Sequence, residues 1–198
     1  MSIEHMPPES AVAETGGLAV APVDVDVLRS EIQRTYTEVS EERGKEFIFP
    51  TGRWWAEELG YPADELARVP DATVESFAGV ANPFSLGPIE PGETVLDLGC
   101  GAGTDLLIAA QMVGPAGRAI GVDMTPAMVE RARQSALDMG LDHVEVHESL
   151  IERVPVPDAS VDVVTSNGVI DLVPDKDAVF AEMRRSCAPA GGSSSPTS

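Results

Sequence analysis

Hydrophobic and polar positions follow two different patterns along this chain, and the pattern changes at Pro91-Gly92. Upstream, apolar residues recur every three or four positions, the period of an amphipathic helix. This period predicts a helix over residues 25–43, and short helical pieces are predicted to follow over 52–59, 62–69 and 72–80. Asp71 is the predicted N-cap of the last one. Together they predict a helical cap over residues 24–90, preceded at 1–23 by a tail rich in Pro, Glu, Ala and Gly that we expect to be disordered.

Downstream of Pro91-Gly92, short apolar runs alternate with helical stretches. The runs predict strands over 94–98, 118–122, 143–147 and 161–165, and the stretches predict helices over 106–113, 125–139 and 175–185. Strands and helices that alternate with short connections form parallel sheets covered by helices on both faces. The predicted fold class is therefore α/β, with a Rossmann-like, doubly wound, mostly parallel sheet over residues 91–186.

Composition narrows the possible partners. The 198 residues carry 33 acidic and 13 basic side chains, a formal net charge of −20. Such a surface repels phosphate backbones and anionic lipids, so we expect no nucleic-acid or membrane partner. Two cysteines, Cys100 and Cys187, form neither a disulfide framework nor a zinc-site spacing. Without a signal-peptide or membrane-spanning pattern, we expect a cytoplasmic protein.

The strongest chemical signal is a buried strand that runs into a glycine-rich turn, Val95–Gly103. Glycines at 99 and 101 allow left-handed backbone angles and let a ligand approach the backbone closely. Asp97 ends the buried strand, where a carboxylate is costly without a cationic or hydrogen-bonding partner. A ligand ammonium group would be such a partner.

A second signal lies at the end of the next strand. Asp123 follows that strand, and in a doubly wound sheet it lies beside the loop after the first strand, where a carboxylate can accept both hydroxyls of a ribose. The spacing G-x-G-x-G differs from the G-x-G-x-x-G of dinucleotide sites, and an acidic residue before the loop opposes a phosphate. Two alternatives stay open, a nicotinamide oxidoreductase and an α/β domain that binds no nucleotide.

These two segments resemble motifs of a known family. Val95–Gly103 resembles motif I, and Gly121–Met124 motif II, of class I S-adenosylmethionine-dependent methyltransferases. The resemblance implies S-adenosylmethionine as cofactor, with Asp97 at its ammonium group and Asp123 at its ribose. The cofactor-binding residues that it implies are Asp97, Gly99, Cys100, Gly101, Gly103, Asp123, Met124, Ile151, Glu152 and Asn167. It implies no metal ligand, and it assigns no catalytic residue.

Three longer segments are similar to arsenite methyltransferases: Phe77–Pro83, Gly121–Met128 and Ser166–Leu172. The resemblance implies a small-molecule methyl acceptor. Those enzymes hold trivalent arsenic with cysteine thiolates, one of them at the position of Gly168, and this chain has no cysteine before residue 90. We therefore expect a methyltransferase without the arsenic-binding thiolates, or alternatively a non-catalytic fragment or partner subunit that binds the donor.

The last residues depart from the family. The resemblance implies a proline-glycine turn and three more strands after the helix at 175–185, but residues 187–198 are a low-complexity stretch rich in Ser and Pro. We expect a C-terminally truncated core, with the strand at 161–165 left as an exposed sheet edge. Such a core would be weakly stable and possess little or no activity.

Two side-chain pairs invite a functional interpretation. Trp54 and Trp55 are candidates for an acceptor pocket, although packing between helices is expected for at least one of them. His143 and His147 fall on one face of a predicted strand, and we expect them to be solvated or structural, since no third metal ligand is visible.

Overall fold

The computed structural model describes residues 24–42, 45 and 47–189. The tail predicted at 1–23 lies outside the described residues, as does 190–198, the larger part of the tail predicted at 187–198. The described helices and strands are α1 (Val25–Glu41), α2 (Arg53–Glu58), α3 (Ala63–Leu66), α4 (Asp71–Val74), β1 (Thr94–Leu98), α5 (Thr104–Val113), β2 (Arg118–Asp123), α6 (Pro126–Asp138), β3 (Val144–Glu148), β4 (Val163–Ser166) and α7 (Lys176–Ser186). None of these helices is long and apolar enough to cross a membrane.

The four described strands form one parallel sheet in the order β3-β2-β1-β4. β1 is central, and Asp97 near its end pairs with Gly121 of β2 on one side and Thr165 of β4 on the other. In the described part of the chain β4 pairs only with β1, and its residues are half-buried. The predicted α/β fold with a parallel Rossmann-like sheet is confirmed. Because the carboxyl ends of parallel strands meet at one edge, Asp97 and Asp123 lie at the same edge.

The sheet divides the core into two layers. Alternate residues of β1 and β2 face a layer formed by the 151–156 loop and Val179 of α7; they are Leu96, Leu98, Ile120 and Val122. On the other face α5 and α6 cover the sheet, with Leu106 and Val129 packed against Ala119. Full burial of each Leu or Val stabilises the fold by about 1.5–3 kcal/mol. This packing fixes the carboxyl edge of the sheet, where the loops after β1 and β2 lie.

The cap packs onto the α5–α6 layer in two parts. The short helices and their connections bury apolar side chains against Leu107 and Ile108 of α5; these side chains are Ala56, Tyr61, Leu66, Val69, Val74 and Phe77. α1 packs separately, with Val39 against Ala102 and Met128. The cap is thereby attached to the α5–α6 layer at two separate places.

The prediction of a helix over 72–80 is wrong. α4 ends at Val74, and Pro70 rather than Asp71 occupies its N-cap position. The Asp71 carboxylate instead forms an ion pair with Arg53 at 2.8 Å. From Phe77 onward the backbone is irregular, because side chains distant in sequence take its hydrogen bonds, as described below.

The fourth strand begins later than predicted, at Val163 rather than Val161. Val161 forms an isolated parallel bridge with Cys187, and Asp162 donates its backbone N–H to the Thr94 carbonyl. The chain therefore enters the sheet through a bend. Two 3-10 turns, Pro83–Leu86 and Ile170–Leu172, were not predicted.

Candidate functional site

An open cleft lies at the carboxyl edge of the sheet and has a volume of about 980 Å³, its mouth included. The ends of β1 and β2 and the first turn of α5 form one side of it. The loop at 149–152 and the stretch at 167–174 form further walls, and the cap contributes α1 and the segment 76–79. The cleft is therefore bounded by both the sheet and the cap.

Asp97 is the most unusual side chain of this cleft. It is 3% exposed, and its Oδ1 accepts a hydrogen bond of 3.0 Å from the Thr165 hydroxyl. Its Oδ2 is buried and has no hydrogen-bond partner. Burial, reinforced by the nearby carboxylate of Asp105, raises the pKa of Asp97 to about 8. An unpartnered carboxylate oxygen of this kind costs free energy that a cation placed beside it would offset.

Asp123 differs from Asp97 in having backbone donors. Its Oδ2 accepts from the Gly101 N–H at 3.0 Å and its Oδ1 from the Thr125 N–H at 2.8 Å. Burial raises the pKa of Asp123, and these two donors act in the opposite direction. Each oxygen retains capacity for one more hydrogen bond. The carboxylate can therefore accept from two adjacent hydroxyl groups while it fixes the glycine-rich turn.

The two glycines of the turn have different structural roles. Both have left-handed angles, with φ of +71° at Gly99 and +53° at Gly101. A Cβ on Gly99 would lie 2.6 Å from the side chain of Val169, whereas a Cβ on Gly101 would meet nothing within 4 Å. Gly99 therefore allows the loop after β4 to pack closely, and Gly101 leaves backbone open to the cleft.

Helix α1 is held over the cleft by two polar contacts. Arg29 forms an ion pair of 2.9 Å with Glu152, and Gln33 donates to the Met124 carbonyl at 2.8 Å. Tyr36, on the same face of α1, has its pKa raised by burial and by the charge of Asp123. The cap thus covers the residues that follow β2 and β3.

Acidic side chains outnumber basic ones along the cleft. Four are acidic, Asp97, Asp105, Asp123 and Glu152, and one is cationic, Arg29, which is paired with Glu152. This arrangement attracts a cationic ligand and opposes phosphates, because anions would add like charge in a partly dry space.

Comparison with known proteins agrees with this geometry. Residues 89–195, more than half of the chain, match the model of a family described as "Methyltransferase domain". The chain belongs to this methyltransferase domain family. The resemblance to S-adenosylmethionine-dependent methyltransferases, and among them to arsenite methyltransferases, is confirmed at the level of the family.

Relatives of this methyltransferase domain are longer proteins. An arsenite methyltransferase of Halobacterium salinarum is 46% identical over 136 residues, which are 69% of this chain and 34% of that relative. A nocamycin O-methyltransferase of Saccharothrix syringae is 39% identical over 65% of this chain and 46% of its own length. The crystal structure of CrArsM, an arsenic(III) S-adenosylmethionine methyltransferase from Chlamydomonas reinhardtii, shares 40% identity and a TM-score of 0.59 over 65% of this chain and 45% of that one. The chain therefore spans well under two thirds of the length of these relatives.

Nine of the ten residues predicted as cofactor-binding line the cleft of the methyltransferase domain. Gly103 does not; its φ of +98° and the close approach of Ala132, 3.1 Å from an added Cβ, give it a role in packing α5 against α6. Cys100 lines the cleft, but its side chain packs in the core among Leu106 and Ala119. Only the backbone of Cys100 is therefore suited to contact a ligand.

Sequence reasoning missed several cleft residues. The amphipathic stripe of α1 was visible in the sequence, but nothing indicated that Ile32 and Tyr36 on it would reach the cleft rather than the core. Asp105 is a further omission: it lies in the first turn of α5, where an acidic residue is the usual helix-start pattern, and only the structure shows that it is buried.

The tryptophan and histidine pairs lie outside the cleft. Trp54 is 59% exposed, and Trp55 packs against the cap core while its Nε1 donates to the Gly79 carbonyl. His143 donates from Nε2 to the Ala110 carbonyl at 2.9 Å, and His147 lies 3.6 Å from Glu145. The interpretation of the tryptophans as an acceptor pocket is not supported by their positions.

Proposed function

We propose that this cleft binds S-adenosylmethionine and that the chain is the donor-binding core of a methyltransferase acting on a small molecule. The observation that carries the proposal is the buried Oδ2 of Asp97, which has no protein partner and lies in a cleft dominated by carboxylates. A ligand with an ammonium group supplies the missing donor and the missing positive charge together.

The residues of the cleft fit the remainder of such a donor. Asp123 would accept from the two ribose hydroxyls with the hydrogen-bonding capacity that its backbone contacts leave free. The open backbone at Gly101 admits close approach of the amino-acid part, and Ile151, 5% exposed, offers an apolar edge for the adenine ring. Glu152 has less freedom, because Arg29 already pairs with it.

The donor supplies an electrophilic methyl group on a sulfonium. The chain contributes binding and orientation: the strand ends fix the carboxylates, and α1 together with the segment 76–79 narrows access of water to the cleft. Holding donor and acceptor in line supplies most of the rate in such a displacement. We assign no general base, and an acceptor that is already ionised or soft requires none.

We further propose that the acceptor is not arsenite held by protein thiolates. Two relatives are named arsenite methyltransferases. In the described part of this chain the Cys100 side chain points into the core, Cys187 lies beside Val161 at the end of α7, and Gly168 lines the cleft. No pair of thiolates is thus available to a soft ion within the described residues.

The test is a calorimetric titration of the purified chain with S-adenosylhomocysteine, with NADH as the control ligand. We expect one site for the former and no heat of binding for the latter. A folded chain that fails to bind S-adenosylhomocysteine would overturn the proposal.

Activity is tested separately with radiolabelled donor. Arsenite with glutathione is the first acceptor, and a pool of small metabolites is the second. Transfer to the pool alone supports the proposed acceptor class, and efficient transfer to arsenite contradicts it. Donor binding without transfer to either would favour a non-catalytic donor-binding subunit.

A further inference from the structure

Asn167, predicted to bind the cofactor, makes its contacts elsewhere. Its Oδ1 accepts from the backbone N–H groups of Val80 and Ala81, at 2.7 and 3.2 Å. Its Nδ2 donates to the Ala81 carbonyl at 2.8 Å and to Asp105 Oδ2 at 2.9 Å. All donors and most of the acceptor capacity of the amide are thereby used within the protein.

Asp105 and Tyr61 complete this network. The Tyr61 hydroxyl lies 2.5 Å from Asp105 Oδ1 and 3.1 Å from the Ala81 carbonyl, and Asn167 Nδ2 approaches the same hydroxyl at 3.2 Å. Four parts of the chain therefore meet here: the connection before α3, the start of α5, the residue after β4 and the segment 77–82. We call this cluster of Tyr61, Asp105 and Asn167 the amide latch.

The latch holds a segment that has no regular structure of its own. The Phe77 carbonyl accepts from the Gly52 N–H, and the Gly79 carbonyl accepts from Trp55 Nε1, both at 2.8 Å. A Cβ on Gly79 would lie 2.4 Å from Asn167 Nδ2, so glycine is required for the amide to approach. Distant residues thus bond five backbone polar groups of the segment, namely the carbonyls of Phe77, Gly79 and Ala81 and the N–H groups of Val80 and Ala81.

We propose that Asn167 is a positioning residue: with Asp105 and Tyr61 it fixes the segment 77–81 as the cap wall of the cleft, and it does not bind the donor. Phe77, Ala78 and Gly79 line the same cleft but are not among the residues assigned to the donor, which come from the ends of β1 and β2 and the loop at 149–152. Because the donor takes the other residues of the cleft, the space beside this wall is left for the methyl acceptor, an assignment that rests on the proposed function.

A pH-dependent variant tests the latch directly. In Asn167→Asp, a second carboxylate replaces the amide 2.9 Å from Asp105, with Tyr61 as their neighbour and the buried Asp97 as the next charge. One shared proton holds such a pair together at low pH, and repulsion separates it when the pH rises. We expect Val80 and Ala81 to exchange their amide hydrogens at least tenfold faster at pH 9 than at pH 5, beyond the intrinsic pH effect measured on the parent chain.

Trp55 provides the spectroscopic signature, since its Nε1 is bonded to the segment. The chain has two tryptophans, so a Trp54→Phe background isolates Trp55, and Trp54 is exposed enough to replace. The emission of Asn167→Asp should shift to the red between pH 5 and pH 9, whereas the parent emission should not. A change that merely weakens the fold would not give a reversible transition of this kind in a chain with unchanged far-UV circular dichroism.

The matched control exchanges the two groups. In Asn167→Asp with Asp105→Asn the cluster again holds one carboxylate and one amide, so the exchange rates and the Trp55 emission should lose their pH dependence. The exchange rates should stay above the parent values at every pH, because the carboxylate oxygen that replaces Nδ2 at position 167 cannot donate to the Ala81 carbonyl. S-Adenosylhomocysteine affinity should stay within threefold of the parent in the exchanged variant. A flat Asn167→Asp response, or an exchanged variant that keeps the pH-dependent opening, overturns the proposal.

Asn167→Ala separates the latch from a donor-binding role. We expect faster exchange at Val80 and Ala81 with S-adenosylhomocysteine affinity within threefold of the parent. A more than tenfold loss of affinity with unchanged exchange would instead make Asn167 a donor ligand. If the parent chain binds no S-adenosylhomocysteine, the proposed function fails, and the exchange and emission results still decide the role of the latch.

Discussion

Two buried aspartates, eight residues apart on either side of the same glycine-rich turn, have opposite surroundings. Asp105 is 7% exposed and both its oxygens accept hydrogen bonds, from Tyr61 and from Asn167. Asp97 is 3% exposed, and one of its oxygens has no partner. Burial raises the pKa of both carboxyls. Equal burial therefore does not distinguish a structural carboxylate from a ligand-binding one; the unused hydrogen-bonding capacity does.

The two aspartates should differ most in their contribution to ligand binding. Asp97→Asn should weaken S-adenosylhomocysteine binding by at least a few hundredfold, about 3–4 kcal/mol, because a charged partner of the ammonium group is replaced by an amide of the same shape. Asp105→Asn, the matched control, should weaken binding by no more than threefold, because loss of the Asp105 charge lowers the pKa of Asp97 and favours its ionised form. Calorimetry on both variants measures these affinities. Equal losses at the two positions would show that Asp97 and Asp105 do not differ in ligand binding.

The free energy of unfolding should respond in the opposite way, because it should fall when Asp105 is replaced and not when Asp97 is replaced. Asp105→Ala removes the acceptor of one Asn167 Nδ2 hydrogen and leaves the Tyr61 hydroxyl only the longer contact to the Ala81 carbonyl. It should lower the free energy of unfolding by about 2–3 kcal/mol. Asp97→Ala removes an unpartnered buried carboxylate, at the loss of one Thr165 contact, and should raise it or leave it unchanged at pH 8. Urea denaturation without ligand measures both values. A strongly destabilised Asp97→Ala would mean that Asp97 serves the fold after all.

The sequence predicts features that depend on neighbouring residues, and it does not predict features that depend on contacts between distant residues. Asp97 and Asp123 were located from a short strand, a turn and a strand end, since period and glycine spacing are local. The predicted helix over 72–80 extends past the end of α4, because residues 77–80 are bound by distant groups, and Asn167 lies 86 residues away from Ala81. A window of a dozen residues contains no trace of such a contact. The latch, the covering position of α1 and the burial of Asp105 are therefore inaccessible to the sequence alone.

The raised pKa of Asp97 should also make ligand binding depend on pH. The folded-state pKa of Asp97 is raised to about 8, so the free chain at pH 7 holds this proton for most of the time. Binding of an ammonium group requires the ionised form, and S-adenosylhomocysteine affinity should therefore rise by up to tenfold per pH unit between pH 6 and 8, about 1.4 kcal/mol per unit. Calorimetry in buffers of different ionisation enthalpy should detect release of close to one proton at pH 7.

The same titration governs the stability of the free chain. A carboxyl whose folded pKa lies above its unfolded value contributes stability below the unfolded pKa, and that contribution is lost as the pH rises through the folded value. Relative to Asp97→Asn, the parent chain should therefore lose stability between pH 5 and 8. Parallel stability curves for the two proteins over this interval would show that Asp97 is already ionised and would also remove the expected proton release.

A weaker loss of ligand affinity is expected from a change in the glycine-rich turn between Asp97 and Asp105. Gly101→Ala places a methyl group where the structure has open space beside the cleft, on a backbone with φ of +53°. Gly140→Ala is its counterpart, with φ of +65°, equally open surroundings and a position outside the cleft. Both should lose about 1 kcal/mol of stability through the left-handed backbone. Only Gly101→Ala should also lose affinity for S-adenosylhomocysteine, by about five- to tenfold, because only there does the ligand need the bare backbone. Equal affinities in the two variants would show that the turn shapes the loop without touching the ligand, and the binding role would then rest on the carboxylates alone.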